Sequence, residues 1–124
     1  MVSRSRVRVV TLAVLLLTVA LSHWITPTDN LYLHAVHVTM RKAFLIPVIL
    51  AAIWFGLRGA LCTAATVTTL YLPHVAYQWR GVWAENLSQF AEVGGIWLVA
   101  VTAGLWLCAL GTPDERRSSR TPEG

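Results

Sequence analysis

The sequence of 124 residues is 56% hydrophobic and 13% charged, with ten Lys plus Arg against six Asp plus Glu. Soluble domains carry about a quarter charged residues, so this chain lacks the charge to cover a water-facing surface. Composition therefore excludes a disordered polypeptide and argues against a soluble enzyme or a nucleic-acid module. The mean hydropathy of +0.58 points to an integral membrane protein. In such a protein the net charge of +4 sets topology and does not form a basic patch.

The first predicted span is the uncharged run from Val9 to Ile25, preceded by the basic flank Arg4, Arg6 and Arg8. A secretory signal peptide over residues 1–22 is the rival reading, with Ala20-Leu21-Ser22 as its cleavage site. Trp24 and Ile25 carry the apolar stretch past that site and favour a retained anchor. Thr26-Pro27-Thr28-Asp29-Asn30 combines turn and capping residues, so a second helix is expected to start there. It carries Leu31, Tyr32, His34, His37 and Arg41 and enters the membrane near Ala43.

The second span, 43–57, is short, and the stems of Arg41 and Lys42 must reach back to the interface for it to cross. A re-entrant segment is the alternative. Pro47 is expected to kink it by freeing the carbonyl of Ala43. Phe55-Gly56-Leu57-Arg58-Gly59 reads as a tight turn into a third span, 60–77, rich in small residues and threonines. A polar loop with Trp79, Arg80, Trp83 and Glu85 precedes a fourth span, 89–110, whose Ala100 and Gly104 form a small-xxx-small pair. Residues 111–124 read as a disordered cytoplasmic tail.

The expected fold class is thus all-α integral membrane, with four transmembrane helices in residues 1–110 and both termini inside. That orientation places seven basic residues on the cytoplasmic side (Arg4, Arg6, Arg8, Arg58, Arg116, Arg117, Arg120) against Arg41, Lys42 and Arg80 outside. Trp24, Tyr32, Tyr77, Trp79 and Trp83 would form the outer aromatic belt, and Trp54 and Trp106 the inner one. Cys62 and Cys108 sit in apolar runs without paired spacing and read as buried packing residues.

One ordered set of segments is more specific than the hydropathy. Arg41-Lys42-Ala43-Phe44-Leu45-Ile46-Pro47 leads into Trp54-Phe55-Gly56-Leu57-Arg58-Gly59, followed by Tyr71-Leu72-Pro73-His74 and Asn86-Leu87-Ser88-Gln89-Phe90-Ala91-Glu92. Over roughly residues 34 to 105 this resembles the membrane-embedded N-terminal input domain of bacterial sensor histidine kinases. Lys42 departs from the second arginine common there, and Ala60 from a second glycine. These residues contain no phospho-acceptor His region and no ATP-binding glycine boxes, so kinase activity is not carried over. The resemblance implies a sensory module of the bacterial inner membrane, without an enzyme activity of its own. It would act on a separate kinase or regulator, or on a second copy, within the lipid bilayer.

Ionisable groups inside a membrane are costly and mark functional sites. His34, His37 and Arg41 share one helix face by their i, i+3, i+7 spacing, and Glu85, Gln89 and Glu92 share another. Of the positions matched to the family, His37, Arg41, His74, Asn86, Gln89 and Glu92 are the candidate ligand-binding residues. They would perceive a ligand or ion at the outer leaflet. The plainer alternative is that Arg41 anchors a short helix and pairs with Glu92 to set register.

His23 and His34 lack a family match and read as interfacial. No catalytic residue, metal site or cofactor is expected. His34-Ala35-Val36-His37 lacks the spacing and glutamate of a zinc-protease helix, and a haem between His37 and His74 is a remote alternative. Gly94-Gly95 reads as helix packing. A small accessory subunit, or a transporter component lined by the threonines of the third span, are the competing functions.

Overall fold

The computed structural model describes residues 3–26, 30–77 and 83–111. Four α-helical elements follow in order: α1 (Arg4–Ile25), α2 (Leu31–Ala43), α3 (Leu45–Tyr77) and α4 (Trp83–Ala109). The expected tail, 111–124, lies outside the described residues except for Gly111, as do the loop residues Trp79 and Arg80.

Among the described residues three helices are long and apolar enough to cross a membrane, where four had been expected. The expected second and third spans meet at Gly56, whose non-helical backbone divides α3 into two helical arms. Gly56 adopts φ 65°, ψ −156°, a region essentially confined to glycine. The chain folds back there. Arg41 and Tyr71 would lie about 45 Å apart along a straight helix at 1.5 Å per residue, yet Arg41 Nη1 is 3.5 Å from the Tyr71 hydroxyl. α3 is therefore a helical hairpin with a short first arm, 45–55, and a long second arm, 57–77. The first arm rises only about 16 Å, half the thickness of a hydrocarbon core.

Local chemistry accounts for the other boundaries. Asn30 caps α2, its side-chain oxygen accepting from Leu33 N at 2.9 Å. The break between α2 and α3 falls at Phe44, four to three residues before Pro47. There Phe44 N turns to Arg41 O at 3.4 Å. Proline has no N–H for the carbonyl of Ala43 and its ring clashes with it, so the helix ends at Ala43 and restarts. The expected kink thus shows as a one-residue interruption at Phe44, which keeps φ −61°, ψ −19°, with Pro47 in the first turn that follows and fully buried.

The core runs along four helix faces. Leu12, Val19, Ala20 and His23 are the buried face of α1. Phe44, Val48, Ala51 and Ala52 are buried in the first arm of α3, and Ala60, Ala64, Val67, Tyr71 and Val75 in the second. Ile96 and Ala100 face them from α4. Small residues dominate because lipid offers no hydrophobic drive between helices, and close backbone approach replaces it. A Cβ on Gly104 would stand 2.8 Å from Leu57 Cα, and one on Gly59 would stand 2.8 Å from Ala51 O. By contrast, a Cβ on Gly94 or Gly95 would meet nothing within 4 Å. Among the described residues, the expected packing role for that pair is absent.

The outer surface is apolar. Val10, Val14, Leu17, Leu21, Leu98, Leu105 and Trp106 are all more than half exposed, the inverse of a soluble domain. Cys62 and Cys108 are exposed on this surface, which corrects their reading as buried. An apolar run in a membrane helix has a lipid-facing side as well as a core side.

Candidate functional site

One end of the bundle gathers polar side chains from every element. α1 ends there and α4 begins there, while Gly56 and Cys108 approach each other at the opposite end. Glu92 of α4 is the centre. Its Oε2 lies 3.1 Å from Arg41 Nε, and its Oε1 accepts from Lys42 Nζ at 2.8 Å. The Arg41 contact is an ion pair without the alignment of a hydrogen bond. The Tyr71 hydroxyl of α3 stands 3.5 Å from Glu92 Oε2, and Arg41 Nη1 stands 3.5 Å from that same hydroxyl. The Arg41 and Glu92 side chains are only 14% and 15% exposed, whereas Lys42 is 59% exposed.

Next to these four side chains lies a stack of rings. His23 of α1 and His37 of α2 have centroids 4.2 Å apart, and His23 also packs on Tyr71 at 5.7 Å and edge-on to Phe44 at 6.1 Å. His23 is 0% exposed and His37 6%. His23 is therefore no interfacial residue, as the sequence suggested, but the most buried polar group of the cluster. Its signal was its position on the same face as Leu12, Val19 and Ala20. Tyr71 was also missed as a site residue, although it heads the Tyr-Leu-Pro-His segment. His34 is exposed.

Of the six predicted site residues, the structure brings His37, Arg41 and Glu92 together. Gln89, one turn from Glu92, is half-buried with Oε1 shielded and without a hydrogen bond. His74 and Asn86 lie in α3 and α4, but their side chains are outside the described residues.

An open cleft of about 390 Å³ lies between the α2–α3 junction and α4. Arg41, Lys42, Ser88 and Glu92 form its polar rim, and Leu45, Ile96 and Val99 its apolar wall. Among the described residues, no three His, Cys, Asp or Glu side chains are grouped as metal ligands.

The threonines of α3 bond back to their own helix. Thr66, Thr68 and Thr69 each donate to the carbonyl four residues back, at 2.8–2.9 Å. Thr68 Oγ1 also accepts from Trp97 Nε1 at 3.0 Å, tying α3 to α4.

No family model, curated protein or solved structure matches the chain.

Proposed function

We propose that the chain is a multi-pass membrane sensory module, with both termini cytoplasmic and its polar end at the outer leaflet of the inner membrane. It perceives a ligand or ion there and passes a helix displacement to a partner, as the resemblance to histidine-kinase input domains implies. One observation carries this reading: each helical element contributes a polar or ring group to one connected cluster. These are His23 from α1, His37 and Arg41 from α2, Tyr71 from α3 and Glu92 from α4. Any change of charge or occupancy at Glu92 acts on α2, α3 and α4 together, and through Tyr71 on His23.

The test is a distance measurement. With Cys62 and Cys108 replaced by serine, spin labels on Thr18→Cys and Leu105→Cys report the separation of α1 and α4. A shift with pH or with small polar solutes that Glu92→Gln abolishes in the fraction that remains folded supports sensing. An unchanged distance under every stimulus overturns it.

A purely structural accessory subunit is the second reading. It is favoured by the satisfied state of Glu92, whose two oxygens each meet a cation. Under that reading Glu92→Gln lowers the amount of folded protein and changes nothing else.

A further inference from the structure

We propose that the cleft beside Glu92 binds one acidic phospholipid, its phosphodiester on Lys42 and Arg41 and an acyl chain along Leu45, Ile96 and Val99. The inference rests on the sensory reading and names the ligand class of that same site.

Charge is the first argument. The charged groups lining the cleft are two cations and one carboxylate, an excess of one positive charge that a phosphodiester monoanion matches. The Lys42 ammonium has three donors, of which Glu92 Oε1 takes one at 2.8 Å. Its side chain is more than half exposed at the rim, so the remaining donors are open to an anion.

Shape is the second. Below the rim the lining turns apolar, and from Glu92 to Val99 the wall runs about 10 Å along α4. That depth takes the upper part of an acyl chain and exceeds what a free phosphate or carboxylate needs. Leu45, Ile96 and Val99 of the wall have the exposed apolar residues Ile46, Ile49 and Leu98 as sequence neighbours, a surface that suits entry from lipid.

Gly95 is the third. It lines the cleft, yet an added Cβ there meets nothing within 4 Å. Glycine weakens a helix relative to alanine, so internal packing does not account for it. A glycine that keeps the cleft wide does. A second copy of the chain is a poorer occupant, because a two-fold contact pairs this face with itself and brings two patches of the same net positive charge together.

Native mass spectrometry of the detergent-purified full chain tests the proposal, with dioleoylphosphatidylglycerol and dioleoylphosphatidylcholine titrated in parallel. One phosphatidylglycerol per chain is expected, preferred over phosphatidylcholine. Gly95→Leu should abolish it while helix content and melting are kept, and Lys42→Gln should weaken it about fivefold, the effect of one basic residue near a membrane surface. Equal binding of the two lipids, or binding unchanged in both variants, overturns the proposal. So does displacement by inorganic phosphate at equal concentration, which assigns the rim to a small anion. A dimer that Gly95→Leu dissolves assigns the cleft to a second copy and overturns it as well. Lipid binding without any α1–α4 displacement would refute the sensory reading alone. Displacement without lipid binding would refute only the lipid.

Discussion

Arg41 Nε and Glu92 Oε2 face each other at 3.1 Å across α2 and α4, with both side chains about six-sevenths buried. Removing one member of such a pair strands the other charge, at a cost of about 3–5 kcal/mol. Glu92→Gln is therefore expected to be strongly destabilising in thermal melts in detergent. Lys42→Gln, at the exposed rim, should cost no more than about 1 kcal/mol. A double-mutant cycle on Arg41 and Glu92 should return a coupling well above that of Lys42 and Glu92.

His23 is fully enclosed by His37, Tyr71 and Phe44. His23→Ala removes a ring from a packed core, with an expected loss of about 3 kcal/mol by analogy with ring truncations. Deleting residues 1–22 removes Leu12, Val19 and Ala20 from the same face. That truncated chain should lose the sharp melting transition of the full one.

Two glycines of α4 should respond oppositely to the same substitution. Gly104→Ala drives a methyl into the Leu57 backbone and should cost about 1–3 kcal/mol as overpacking. Gly94→Ala meets nothing and should gain about 1 kcal/mol from helix propensity. Gly56→Ala should lose about 1–3 kcal/mol, because the backbone there suits glycine alone. Denaturant or thermal midpoints of the three variants check the order.

Thr66 is exposed on the outer face of α3, its hydroxyl donating to Cys62 O at 2.9 Å. In a membrane that face meets lipid. Thr66→Cys should resist aqueous thiol reagents, while Arg58→Cys at the hairpin tip should react from the cytoplasmic side only. Labelling of intact cells and of inverted vesicles distinguishes the two sides. Reaction of Arg58→Cys from outside would reverse the proposed topology.

The site was half legible in the sequence. His37, Arg41 and Glu92 stood out because ionisable residues in apolar runs are conspicuous. His23 and Tyr71 did not, since a ring on an apolar helix reads equally as interface anchor or core. Spacing along one helix says which residues share a face, but not which neighbour that face meets. The same limit misplaced Cys62 and Cys108, because an apolar run does not distinguish its lipid-facing side from its core side.

The sequence alone determined that the chain is helical and built for an apolar surround, because too few charges remain for a water-facing surface. It also located the breaks, since Asn30, Pro47 and Gly56 act on their own backbone whatever surrounds them. Tertiary structure decided what those breaks accomplish. The single φ of Gly56 turns two expected spans into one hairpin, and that reversal brings Arg41 to Tyr71 and both to Glu92. Such contacts join residues 21 to 51 positions apart, and the packed core, with close approaches at Gly59 and Gly104, keeps the helices near enough to make them.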